Sequence, residues 1–391
     1  MTYQSITTDA QLQQYVQELS AARSIALDTE FVAEDTFRPQ LCLVQVCTEQ
    51  GAALIDPLGI ENLRPFWTLL TQAGHDTIVH AGRGEVEFCW LAAGAPPANL
   101  FDVQLAAGFT GLEYPAGYSN LIAKLLGRHA KKHETRTDWR RRPLTQRQID
   151  YALDDVRHLF PLRDQLQSRL QALGRQDWLA QEMSAWLTEI HRGLTEERWW
   201  KVSGNASLGG RGQAILRELW RWRQAEAERR NKPPRRILRD DLIVEMARRQ
   251  TADLKQVRAV RGMEWGNVRQ HLPQIVACIE RGLASPEPDI RTTGYRDTPP
   301  QLSVLGQLLS SALGSICRQA ELSASLVGTA SDVRELILYE LDPTTWNEPP
   351  LLAQGWRAHV VGNLFEDLLA GRLSIRVGDP HSEHPLVIDR R

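Results

Sequence analysis

Ile25-Ala26-Leu27-Asp28-Thr29-Glu30-Phe31 is a short apolar run broken by two acids at alternate positions. As a β-strand, whose successive side chains point to opposite faces, it puts Asp28 and Glu30 together on one face. Leu27, Thr29 and Phe31 share the other face, which makes Phe31 a core residue. Two carboxylates side by side repel each other unless a cation lies between them. Hard, oxygen-ligated Mg²⁺ or Mn²⁺ sites are built in this way. A bare D-x-E is more often a strand end in solvent, so the reading needs partners elsewhere in the chain.

Around this strand lie three more of the same character, Leu41–Cys47, Ala52–Asp56 and Thr77–Ala81, each bounded by polar or Gly/Pro residues. Helical patterns follow at Glu85–Ala93, Val103–Gly108, Ser119–Leu126 and Thr145–Leu170. Strands first and helices after predict an α/β unit, a mixed sheet with flanking helices, over residues 1–195. Residues 205–285 read as all helix, with Gln213–Arg230 stopped by Pro233-Pro234. Residues 286–300 are proline-rich and read as a linker. A second helical block is expected at 301–378 and a mobile polar tail at 379–391.

The whole chain of 391 residues is 42% hydrophobic and 24% charged, which excludes a disordered, collagenous or disulfide-scaffold protein. No apolar run is long enough to cross a bilayer, and the polar N-terminus lacks the pattern of a secretory signal. Five scattered cysteines without a CxxC pair point to a reducing cytoplasm rather than to zinc or disulfides. The net charge of −2 hides an asymmetry. Residues 1–100 hold twelve acids against four bases, 128–142 seven bases against two acids, and 211–239 ten against three. That distribution suits a chain that binds cations in one place and a polyanion nearby.

Two further segments supply the partners. In Tyr151-Ala152-Leu153-Asp154-Asp155 the phenol of Tyr151 and the carboxylate of Asp155 stand four residues apart on one helix face. In His80-Ala81-Gly82-Arg83-Gly84-Glu85 a strand end turns through glycines into a helix with an acid in its first turn. With Leu100-Phe101-Asp102-Val103-Gln104 and Thr137-Asp138-Trp139-Arg140, these motifs occur in the order and at the separations of one family. From about Asp28 to Leu166 the chain closely resembles the ribonuclease D family, of the DEDD superfamily of 3′→5′ exonucleases. The 205–285 block resembles the helicase-and-RNase-D C-terminal (HRDC) domain through Ala214–Trp222 and Arg239-Asp240-Asp241-Leu242-Ile243. The 301–378 block looks like a second, more divergent HRDC-type domain, through Gly355-Trp356-Arg357 and Val360–Leu369.

The resemblance implies a ribonuclease H-like mixed sheet followed by two small all-α domains. It implies a metal-dependent 3′→5′ exoribonuclease that releases nucleoside 5′-monophosphates and trims the 3′ ends of tRNA precursors and other structured RNAs. No membrane and no obligatory protein partner is expected. Two divalent ions, Mg²⁺ or Mn²⁺, are implied, with Asp28, Glu30, Glu85 and Asp155 as ligands and Tyr151 orienting the attacking water. His80, Arg136, Trp139, Arg140 and Arg141 are substrate-binding candidates, and Arg221, Arg223, Arg229, Arg230, Arg235 and Arg236 form a second basic track. One position departs from the pattern. The family normally has aspartate where this chain has Glu85, and Asp102 matches a different acidic position that reads as a helix N-cap. Two alternatives stand beside this reading: a DNA exonuclease of the same superfamily, since relatives with this domain pair act on DNA, and, because of Glu85, an RNA-binding protein with weakened catalysis.

Overall fold

The computed structural model describes residues 2–128, 137–263, 266–288 and 300–390. Its centre is a six-stranded mixed sheet of β1 (Tyr3–Ile6), β2 (Ser24–Val32), β3 (Gln40–Thr48), β4 (Gly51–Ile55), β5 (Asp76–Val79) and β6 (Leu100–Asp102), in the order β1-β4-β3-β2-β5-β6. The D-x-E strand β2 is central, antiparallel to β3 and parallel to β5. Both of its faces are covered, and Ile25, Ala26 and Leu27 have no exposed surface. Ile25 and Leu27 pack with Val44, Val46, Phe66 and Trp67 on one side. Ala26 joins Leu43, Cys47, Ala152 and Val156 on the other. Strand alternation then carries Asp28 and Glu30 onto the Ala26 face, beneath the Gln146–Arg157 helix, and Thr29 onto the Leu27 face.

Local chemistry sets the elements that flank the acids. The Gln146–Arg157 helix starts at a capping box, Thr145 and Gln148 satisfying each other's backbone N–H groups. It ends at His158, and a second helix, Leu159–Ala172, begins there. The single helix expected over 145–170 is thus two. Pro161 sits at the junction and has no N–H for the carbonyl of Arg157. The Arg83–Ala93 helix leaves β5 through a turn in which Ala81 has φ +55° and a Cβ on Gly82 would lie 2.3 Å from the Val79 side chain. Asp102 fastens this turn. It accepts from the backbone N–H groups of Ala81 and Gly82 and caps the Val103–Gly108 helix through Gln104 and Leu105.

The second block holds helices Gly210–Arg230, Asp240–Arg249 and Leu272–Ala284 with three shorter ones, around a core of its own. The third block is different. Leu309, Leu313, Leu336 and Phe365 belong to the same core as Ala26 and the helices that cover it. Arg357 forks onto Glu182 at 2.7 and 2.8 Å, and Trp356 packs against Phe109 and Trp178 with ring centroids 4.9 and 5.8 Å away. The block therefore packs as an extension of the catalytic core, where sequence alone suggested a further small domain. The polar tail expected at 379–391 is also corrected. Leu386–Arg390 is a strand, β8, antiparallel to β7 (Leu373–Val377). Ile375 and Ile388 turn toward the core, and Arg376 pairs with Asp389 at 2.5 Å. Most of the linker read at 286–300 lies outside the described residues.

Candidate active site

Asp28 and Glu30 leave β2 on the face covered by the Gln146–Arg157 helix, and that helix brings Asp155 to them. One carboxylate oxygen from each of the three lies within 4.8 Å of the other two. Asp28 is held well above the usual carboxylate range by burial first, then by the charges of Glu85, Asp155 and Glu30. Burial together with the carboxylates of Asp155 and Glu85 raises Glu30 to about 8. Asp155 is raised to about 7 by burial, against the opposing effect of a hydrogen bond from Tyr151. A trio of hard oxygen donors, each destabilised as an anion, is the donor chemistry of a Mg²⁺ or Mn²⁺ site. The residues fit such ions.

Glu85 stands beside this trio rather than in it. It is buried in the first turn of the Arg83–Ala93 helix, and its Oε1 accepts a 2.5 Å hydrogen bond from Thr29 Oγ1. Thr29 projects from the opposite face of β2 to Asp28, so Glu85 reaches the strand from the other layer of the fold. Burial raises its carboxyl to about 7, while the bond from Thr29 works to lower it. A convergence of four acids was expected; three converge, and the fourth is tied to the strand between the first two.

Tyr151 hydrogen-bonds Asp155 and is pushed above the ordinary phenol range by burial and by the Asp155, Glu30 and Asp28 carboxylates. Its hydroxyl therefore keeps its proton. Tyr118 is a second phenol at the site that sequence reading missed. It donates to the Asp154 carbonyl at 3.2 Å, and burial, then the Asp155 charge, raises it above the ordinary phenol range. Its only sequence signal is a position in the first turn of a helix, which carries no chemistry by itself.

The substrate-binding candidates separate. His80 Nε2 is 2.9 Å from the Ala116 carbonyl and its ring lies 5.3 Å from that of Tyr118, a local structural role. Trp139, offered as a base-stacking residue, is 5% exposed and packs 6.0 Å from Tyr151. It packs beneath the helix against the Tyr151 ring instead. Phe31, read as core, is 40% exposed, although its ring still packs edge-on against Phe88 of the Arg83–Ala93 helix with centroids 5.6 Å apart. Arg140 pairs with Asp138 at 2.8 Å and faces Asp35 at 3.7 Å, and Arg141 is 84% exposed. Arg136 lies outside the described residues.

The basic track of the second block is largely neutralised. Arg223 is buried and bonds Asp240 at 2.6 Å and the Leu238 carbonyl. Arg221 is shared by Glu197 and Glu218, and Arg229 and Arg230 both pair with Glu226. Arg236 instead crosses to Asp35 of the catalytic module at 2.9 Å. Beside it, Arg38 pairs with Glu228 and the Phe37 N–H donates to Asn231 Oδ1.

Comparison with known proteins agrees with this geometry. The 3′-5′ exonuclease domain family matches residues 3–171 and the HRDC domain matches residues 212–279. Ribonuclease D of Gluconacetobacter diazotrophicus is 33% identical over 376 residues, covering 95% of this chain and 94% of that protein. Ribonuclease D of Escherichia coli is 29% identical, covering 94% and 99%. The crystal structure of the Escherichia coli enzyme, described as an exoribonuclease involved in structured RNA processing, superposes with a TM-score of 0.79 at 28% identity, over 95% of this chain and 99% of that one. With its acid trio on a mixed sheet, its HRDC domain and its full-length likeness to these enzymes, the chain belongs to the ribonuclease D family of 3′→5′ exoribonucleases in the DEDD superfamily.

Proposed function

We propose that this exoribonuclease trims the 3′ ends of structured RNAs, tRNA precursors with 3′ extensions among them, with two divalent ions, Mg²⁺ or Mn²⁺. The observation that carries the reading is the meeting of Asp28, Glu30 and Asp155 within 4.8 Å, with Tyr151 bonded to Asp155. Asp28 would hold both divalent ions, Glu30 and Asp155 would hold with it the one that activates the attacking water, and Glu85, bonded to Thr29, would support the other. Bound divalent ions acidify the water and stabilise charge on the scissile phosphate and the leaving 3′-oxygen. Tyr151, a phenol that stays protonated, positions the water by hydrogen bonding and does not act as the base. The product is a nucleoside 5′-monophosphate.

Arg140 and Arg141 next to the site, and Arg235 and Arg236 on the HRDC turn, are exposed at one junction, where Asp35 faces both Arg140 and Arg236. Such a surface holds phosphates without reading sequence. Among the described residues no helix is long and apolar enough to cross a membrane, and all five cysteines are free and buried, which suits a cytoplasmic enzyme. The test is release of 5′-mononucleotides from a 3′-extended tRNA with Mg²⁺ or Mn²⁺, alongside a matched 3′-tailed DNA and the Asp28→Ala variant. Metal-dependent release from the RNA, abolished in the variant with its melting temperature retained, is expected. Full activity of Asp28→Ala would remove the site, and preference for the DNA would replace the substrate class.

A further inference from the structure

Gln45 lies in the middle of β3 and has no exposed surface. Both polar atoms of its carboxamide, Nε2 and Oε1, lack a hydrogen-bond partner among the described residues. In the β2–β3 ladder Gln45 is directly opposite Asp28. Opposed residues of an antiparallel pair project from the same face with Cβ atoms about 5 Å apart. Its carboxamide therefore lies under the Gln146–Arg157 helix with the acid trio, not on the Phe66–Trp67 side.

The surroundings make the amide conspicuous. Leu43 and Cys47, two residues away on the same face and opposite Glu30 and Ala26, are apolar and buried. A leucine at 45 would continue that run without burying any polar group. An amide with neither atom bonded is among the costlier groups a core can contain, so its presence calls for a partner in the working site. The adjacent group that takes such a donor is the Asp28 carboxylate, which as an anion accepts hydrogen bonds and donates none. Groups that hydrogen-bond a metal-ligating side chain fix its orientation and commonly matter nearly as much as the ligand.

We propose that Gln45 is a positioning residue for the cleavage reaction, its Nε2 donating to the Asp28 carboxylate and holding it turned toward Glu30 and Asp155 when these acids bind divalent ions. This rests on the reading of the acids as metal ligands.

The full chain carrying Gln45→Leu or Gln45→Met tests it, with Asp28→Asn as the control. Mn²⁺ binding is measured by calorimetry, thermal melting in chelator, and cleavage of a short oligoribonucleotide under both conditions of metal. Both variants are expected to melt at or above the wild-type temperature without metal, since an unbonded amide has been removed from the core. They are expected to bind Mn²⁺ about tenfold more weakly. They should also lower kcat while leaving KM unchanged, a split that a purely structural role would not produce. Mn²⁺ affinity within twofold of wild type in either folded variant overturns the assignment of Gln45. Loss of folding in both variants also overturns it, by making the amide a structural requirement of the core. A wild-type chain that binds no Mn²⁺ at all overturns the metal reading itself, and that result is distinct from the other two.

Discussion

The catalytic module and the HRDC block handle buried charge in opposite ways. Under the Gln146–Arg157 helix the strongest influences on Asp28, after burial, are three further carboxylates. Among the described residues of the HRDC block, the buried and partly buried acids meet arginines. Asp240 meets Arg223 and Arg235, Glu226 meets Arg229 and Arg230, and Glu218 meets Arg221 and Arg281. Glu226 accordingly falls to about 2, chiefly through its hydrogen bond to Arg229, while Glu30 rises to about 8. Balanced charge is internal architecture, and unbalanced charge of one sign is a site waiting for something from outside. The arginine-rich composition of 211–239 therefore says less about nucleic acid than its count suggests, because most of those side chains are spent on neighbours.

The comparison breaks most sharply at Asp28. Asp28→Asn should lower 5′-mononucleotide release by about a thousandfold or more, as expected for removing a ligand from a metal-assisted phosphoryl site. The same variant should melt higher than wild type in chelator, because it removes one of the mutually repelling charges. A lower melting temperature would mean that Asp28 is structurally paired after all. Across the molecule, Arg223→Ala should do the reverse. It leaves Asp240 partly uncompensated in a buried setting and should cost about 3 kcal/mol of HRDC stability by chemical denaturation. Cleavage of short oligonucleotides should stay at the wild-type rate.

A third expectation uses pH. Asp28, Glu30, Glu85 and Asp155 all have folded-state pKa values above their unfolded ones. The folded protein therefore holds more protons than the unfolded chain between about pH 4.5 and 8, and stability falls as pH rises through that window. In chelator, the unfolding free energy should fall from pH 5 to pH 8 by an amount on the order of 2 kcal/mol, read as a lower melting temperature, and Mn²⁺ should restore it. A flat profile would show that the acids are already compensated. The smallest effect is expected at Glu85. Glu85→Asp shortens the side chain away from Thr29, and the Mg²⁺-supported rate should rise about twofold to threefold relative to the Mn²⁺-supported rate, because Mg²⁺ tolerates ligand geometry less. Inactivation by this substitution would mean that the pocket has been rebuilt around glutamate.

How far the sequence could be read depended on the range of the forces involved. β2 to β5 were legible from their apolar runs, and Asp28 with Glu30 from strand alternation, a property of two neighbouring residues. β1 was not, since three of its four residues are exposed and it exists by pairing in parallel with β4, forty-nine residues further on at Tyr3↔Ala52. The hairpin of β7 and β8 escaped for the same reason: its apolar contacts are supplied by the helices of the third block. Phe31 and Trp139 came out opposite to their sequence reading, one exposed and one buried, because the rings they meet, Phe88 and Tyr151, are brought to them by the fold and are not visible in composition.

The order of the motifs and the alternation within β2 were enough to place a carboxylate pair on one face of a central strand and to bring a helix carrying Asp155 into the argument. These follow from covalent spacing and from the two periodicities of the backbone. Which acids meet, that Glu85 is drawn to Thr29, that an unbonded amide lies opposite Asp28, and that the last block shares the catalytic core were settled only in three dimensions. Hydrogen bonds and packing act between groups that the chain folds together from distant positions, and their partners are chosen by geometry, not by neighbourhood in sequence.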